Sequence, residues 1–219
     1  MSAKAELVPV RSSLSATQRA LLEQRLQRAR QAAAEPSTGR AAIPRRAAAG
    51  HAPLSFAQER LWFLDQLEPG SAVYNLCQAV RIEGPLRCDA LEQALNEIVR
   101  RHEALRTSFV AVEGRPVQIV APERRFAVTF EDFSALGRTA AEAAALRRLH
   151  EEARRPFDLA QDMLVRALLI RTSATEHRLL ITMHHIVSDG WSVGVLFREL
   201  ADGYAASVAG RLRPNPTGP

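Results

Sequence analysis

The sequence predicts an α/β protein, a mixed sheet with helices packed on it, and three observations carry that prediction. Helical and strand-like periods alternate irregularly along residues 53–210, with no internal repeat. Leu91, Leu95, Ile98, Val99, His102 and Leu105 recur at three- and four-residue steps, so a helix there lays one apolar stripe on a core. Arg178–His184 (RLLITMH) is apolar almost without interruption, as expected of a central strand covered on both faces.

The elements follow in chain order. Ser15-Ala-Thr-Gln18 has the form of a capping box, and Ala20–Ala34 behind it is rich in good helix formers. Pro36–Gly50 then reads as a linker, interrupted by Pro, Gly and Ser. Residues 1–50 are therefore expected to form a basic, helical and flexible arm, either an exposed appendage or a docking element. Folded structure is expected to start near Pro53. Ser55-Phe-Ala-Gln58 is a second capping box; it opens a helix bearing Leu61, Trp62 and Leu64 that ends at Pro69-Gly70. Val73–Glu83 alternates as a strand, and Asp89-x-x-Glu92 opens the striped helix. Thr107–Val112 and Pro116–Val120 form a hairpin through Glu113-Gly114. A short strand at Phe126–Phe130, an Ala-rich helix over 140–155, strands at Leu164–Arg171 and Arg178–His184, and a helix from Trp191 to Ser207 complete the order.

Composition narrows the function. Apolar content of 47% and charged content of 24% are those of an ordinary globular chain. The net charge of +5 is unevenly placed: residues 1–50 hold nine Lys/Arg and three Asp/Glu, the remainder twenty and twenty-one. A near-neutral folded region with its excess charge in an arm does not suit a nucleic-acid surface. The two cysteines, Cys77 and Cys88, lack the spacing of a zinc site or a disulfide framework. No secretory leader or membrane-length apolar run is visible, so a cytoplasmic location is expected.

Chemistry concentrates in Met183-His-His-Ile-Val-Ser-Asp-Gly-Trp-Ser192, where a buried strand passes into a loop and then a helix. Strand side chains alternate, so His184 and His185 point to opposite faces and only one can face a given cavity. Asp189 can bond an imidazole, cap the following helix or pair with an arginine. Gly190 permits a positive φ and close passage of a ligand. Several readings of these residues stand side by side. Two His and an Asp can bind metal, but diverging imidazoles with no third ligand argue for none. A serine hydrolase would need an activated nucleophile, and no G-x-S-x-G elbow is present. A purely structural histidine pair is the plain alternative.

Wider context selects among them. The stretch 184–190 resembles the HHxxxDG motif of nonribosomal peptide synthetase condensation domains and of the wider chloramphenicol acetyltransferase-like acyltransferases. Ser55-Phe-Ala-Gln-Glu-Arg-Leu-Trp-Phe-Leu64 resembles the first condensation motif, and Arg101-His-Glu-Ala-Leu-Arg-Thr-Ser-Phe109 the second. Tyr74-Asn75 falls where that family carries the same pair. The resemblance covers roughly Pro53–Gly210. It implies one chloramphenicol acetyltransferase-like lobe at 51–210, with 211–219 beginning a linker to a second lobe that closes a tunnel over the site.

By the same resemblance, His185 is the active-site residue. His184, Asp189, Gly190 and Arg106 support it, with Arg106 the candidate partner of Asp189, while Trp191 and Ser192 are expected near substrate. His102 is expected to be a satisfied core histidine; His51, His150 and His177 receive no role. The implied reaction joins a carrier-bound acyl or peptidyl thioester to a carrier-bound aminoacyl amine in antibiotic or other secondary-metabolite biosynthesis. No cofactor is expected to bind directly, since substrates arrive on phosphopantetheine arms. The implied partners are upstream and downstream carrier domains, the second lobe and, through residues 1–50, an upstream synthetase subunit; nucleic acid and membrane are not expected. The lone lobe should be weakly active or inactive and should expose an apolar face that favours self-association. The order Trp191-Ser192 disfavours an epimerisation domain, and the histidine pair disfavours a heterocyclisation domain. A free-standing acyltransferase of the same superfamily and a non-catalytic docking fragment remain as alternatives.

Overall fold

The computed structural model describes residues 51–122 and 125–211; the helix and linker expected within residues 1–50, and the linker start at 212–219, lie outside the described residues. Two sheets and four helices make up the described part. The first sheet is small and antiparallel, in the order β1 (Ala52–Pro53), β4 (Arg115–Val120), β3 (Thr107–Val112). The second is the predicted mixed sheet, in the order β2 (Asn75–Glu83), β7 (Glu176–His184), β6 (Val165–Ser173), β5 (Val128–Asp132). Here β2, β7 and β6 run antiparallel and β5 runs parallel to β6. The parallel pair needs a long crossover, supplied by a 3₁₀ turn at Ser134–Leu136 and helix α3 (Arg138–Ala153).

Helices cover both faces of the larger sheet, and that is why RLLITMH carries no polar alternation. Leu179, Ile181 and Met183 of β7, with Val165, Ala167 and Leu169 of β6, pack beneath α2 (Cys88–Arg101) and α4 (Gly190–Val208). The intervening Leu168, Ile170 and Leu180 pack against Ala145 and Leu149 of α3 on the opposite face. The predicted stripe of α2 buries Leu91, Leu95, Ile98 and Val99. The helix starts one residue before the expected Asp89, which instead pairs with Arg87, while Glu92 pairs with Arg125.

Helix α1 (Phe56–Leu67) begins with the predicted capping box: Gln58 N donates to Ser55 Oγ at 3.3 Å, and Ser55 N to Gln58 Oε1 at 3.0 Å. It has no fully buried residue, but Leu61 and Trp62 pack on a separate cluster of Leu54, Phe109, Phe157, Leu159, Leu164 and Ile186. That cluster joins the small sheet to the loop that follows β7. The hairpin between β3 and β4 turns on Glu113 (φ 52°) and Gly114 (φ 77°), two successive left-handed residues as a two-residue type I′ turn requires.

Candidate active site

The histidine loop grows out of the end of β7, in the middle of the larger sheet. Pairing extends past the last strand residue: His184 sits opposite Asn75, and His185 N donates to Tyr74 O at 2.9 Å. Alternation therefore carries one residue further. His185 falls on the face of Met183, the side of α2 and α4, and His184 on the other.

His184 is buried, with Tyr74 and Phe157 meeting its ring edge-on at centroid distances of 6.3 and 6.2 Å. Its Nδ1 lies 3.1 Å from Ile186 N. A backbone N–H can only donate, so Nδ1 accepts and is unprotonated. Burial, then the neighbouring His185, pushes the His184 pKa down to about 4, and the ring is neutral at physiological pH. Its work is structural: it satisfies a buried N–H at the bend and fills the space between Tyr74 and Phe157.

His185 is exposed, and its Nδ1 stands 2.7 Å from the carbonyl oxygen of Ser188. A carbonyl can only accept, so Nδ1 carries hydrogen and the lone pair of the neutral ring resides on Nε2. The loop is held in turn. Ser188 Oγ donates to His184 O, Val187 N donates to the same oxygen, and Gln58 Nε2 reaches Ile186 O at 3.3 Å. The loop thus presents an imidazole of fixed orientation with a free basic nitrogen.

Asp189 caps α4. Its Oδ1 accepts from Ser192 N at 2.8 Å and from Ser192 Oγ at 2.6 Å, and these bonds hold its carboxyl below the usual range. The expected pair with Arg106 does not form. Arg106 donates to Ala121 O and lies 3.4 Å from Glu103, so it ties the 3₁₀ turn Glu103–Arg106 to the end of β4. The reason is local: Asp189 takes two donors from Ser192 within the first turn of α4, while Arg106 is held at Ala121 O and Glu103. Gly190 is the first residue of α4 and takes no positive φ; the space a side chain would fill is empty. Trp191 is 80% exposed, and Ser192 is committed to the cap. His102 is only partly buried rather than in the core, with Nε2 2.9 Å from Glu199 Oε2.

Sequence reasoning missed Ser188, Gln58 and Phe157. Ser188 acts through its carbonyl, which every residue type has, so no residue code marks it. Gln58 was visible only as a cap; its second bond, to Ile186, joins positions 128 residues apart. Tyr74 was noted as one of a pair, and its backbone oxygen holds His185 while its ring packs on His184.

Residues 48–219 match the family model of the Condensation domain, and the chain belongs to that family. It is 47% identical over 190 residues to phosphinothricin tripeptide synthetase PhsC of Streptomyces viridochromogenes, covering 86% of this chain and 17% of that one. It is also 47% identical over 160 residues to the isonitrile lipopeptide synthase of Mycobacterium tuberculosis, covering 73% of this chain and 6% of that one. Among solved structures it resembles the starter condensation domain of rhizomide synthetase RzmA (TM-score 0.68, 25% identity, 78% of this chain and 40% of that one). It likewise resembles the first condensation domain of the calcium-dependent antibiotic synthetase (TM-score 0.68, 28% identity, 77% of this chain and 40% of that one). The chain thus spans under a fifth of the curated relatives it matches and about two fifths of these solved domains.

Proposed function

We propose that this chain supplies the histidine half of a site that forms amide bonds between two carrier-bound substrates, with His185 as the catalytic residue. One observation carries the reading: the bond from His185 Nδ1 to Ser188 O leaves Nε2 free to receive a proton. An acyl or peptidyl thioester is the donor and an aminoacyl thioester the acceptor, each on the phosphopantetheine arm of a carrier domain. The acceptor amine attacks the donor carbonyl carbon, the C–N bond forms, and the proton released from nitrogen passes to Nε2. Collapse of the tetrahedral intermediate breaks the C–S bond, and the proton goes on to the departing thiolate. An α-amino group has a pKa of about 7.7–8.0, so part of it is already neutral near pH 7. A strong base is therefore unnecessary, and His185 both orients the amine and takes its proton.

The remainder of a condensation domain would close over this face, and residues 1–50 would address an upstream synthetase subunit. The test mixes this chain with a separately produced second lobe and two loaded carriers and follows amide product by mass spectrometry. Product that needs the second lobe and falls roughly 10²–10⁴-fold with His185→Ala supports the reading. Carrier binding with no product in any combination overturns it in favour of a docking fragment. Equal turnover of soluble acyl thioesters would point instead to a free-standing acyltransferase.

A further inference from the structure

Asn75 and Arg166 lie on the α3 face of the larger sheet, the face away from His185. Arg166 sits on β6 opposite Thr182, which precedes His184 by two residues on the same face of β7. Helix α3 ends beside them, and the last carbonyls of a helix lack partners within it. Asn75 Nδ2 donates to Ala153 O and to Arg155 O, each at 2.9 Å. Arg166 donates to Arg155 O at 2.5 Å and to Pro156 O at 3.1 Å. Side chains from two strands thus clamp the stretch that leads out of α3 into Phe157.

Phe157 then lies between Arg166 and His184. Arg166 Cζ stands over its ring face, 3.7 Å from the centroid. The same ring meets His184 edge to face, with centroids 6.2 Å apart and planes at 83°. It also shares an apolar cluster with Ile186, whose N–H donates to His184 Nδ1. The guanidinium has a buried counter-charge: Glu152 pairs with Arg166 Nε at 2.9 Å and with Arg148 at 3.1 Å. Such a buried pair adds little stability over apolar side chains of equal volume, and its best-attested use is to fix one arrangement. Arg155 and Pro156 are exposed, so water could serve their carbonyls. What the guanidinium adds is a fixed place for the Phe157 ring.

We propose that Arg166 is a positioning residue for His185, acting from the opposite face of the sheet. It fixes Phe157, Phe157 fixes His184, and His184 fixes the bend at Ile186 from which Ser188 O reaches His185 Nδ1. Asn75 shares the task by holding the same chain end. Lysine cannot replace Arg166, because one ammonium does not serve two carbonyls and a flat ring face as a planar fork does. The effect on rate rests on the condensation reading; the hold on the imidazole is a property of this chain alone.

The test compares the full wild-type chain with Arg166→Lys, Phe157→Leu, the double variant and Ile170→Val. Nitrogen NMR of the histidine rings, in mildly alkaline buffer where imidazole is neutral, reads the tautomer of His185. Wild type should show one tautomer, with hydrogen on Nδ1. Arg166→Lys and Phe157→Leu should each give a mixture of the two. Mixed with the second lobe and loaded carriers, each should lower kcat roughly 10–100-fold and leave KM within about twofold. The double variant should fall no further than the worse single one, since both break the same chain of contacts. Ile170→Val, a core change beneath α3, should lower stability and leave tautomer and kcat alone. An unchanged tautomer and kcat in folded Arg166→Lys would reduce Arg166 to packing and end the proposal; should that variant not fold, Phe157→Leu decides in the same way. Additive losses in the double variant would refute the route through Phe157, and tautomer loss in Ile170→Val would show general loosening instead. Tautomer loss in Arg166→Lys with no amide product even from wild type would keep the positioning role and overturn the condensation reading.

Discussion

His184 and His185 share a peptide bond and sit in opposite surroundings, one ring between Tyr74 and Phe157, the other open to solvent. The buried ring sets a pH dependence of stability. Its pKa is about 4 in the folded chain against 6.5 unfolded, so between those values the unfolded chain binds the extra proton. Its contribution is complete above pH 6.5 and is lost as pH falls toward 4. The window corresponds to at most about 3 kcal/mol before the reduction due to the part of the ring that water reaches. Urea melts between pH 4 and 7 should show this slope. His184→Leu should flatten it, while costing about 1–3 kcal/mol at pH 7 because Ile186 N–H loses its acceptor. Alternation told from sequence that the two histidines diverge. Which nitrogen of each carries hydrogen depended on Ile186 N and Ser188 O, backbone groups that no residue type announces.

Two elements owe their form to single residues. Helix α4 starts where Asp189 collects Ser192 N and Oγ. Asp189→Ala should fray its first turn, read as lost hydrogen-exchange protection at Ser192 and neighbouring amides, while Asn at 189 should retain most of it. Because that carboxylate is held below its ordinary pKa, its support is present above about pH 4 and fades as pH drops through its lowered value. In the β3–β4 turn, Glu113 takes a left-handed φ that glycine or asparagine accepts more readily. Glu113→Asn should raise stability by about 1 kcal/mol, measured by chemical denaturation. The capping box of α1 and the hairpin were legible because caps and tight turns are written in adjacent residues, whereas the box expected at Asp89 does not form and α2 starts without a side-chain cap. The partner proposed for Asp189 was not: pairing it with Arg106 required knowing which donors stood nearer, and Ser192 and Ala121 O claimed the two groups separately.

At the scale of the whole lobe, exposed apolar side chains are spread over several elements, Phe130, Leu136, Leu146 and Val208 among them, but three share helix α1. Phe56, Phe63 and Leu67 recur at seven- and four-residue steps on α1, and Val73 and Trp191 are exposed as well. Isolated exposed apolar residues are ordinary, but a helical stripe of them favours association. Sedimentation velocity should show mass rising with concentration, and the double variant Phe56→Ser, Phe63→Ser should suppress it while leaving the circular dichroism spectrum unchanged. A strictly monomeric wild-type chain would contradict this.

What the sequence by itself determined is the α/β class, the order of elements, the helix stripe on α2 and the strand end that carries His185. These are periodic or nearest-neighbour properties, set by which side chains can share a face and by how adjacent residues cap or turn the backbone. Tertiary structure alone decided the small second sheet, the separation of Arg106 from Asp189 and the tautomer of each histidine. Each of those depends on backbone groups or on competition between donors far apart in the chain, and residue order does not encode such distances locally.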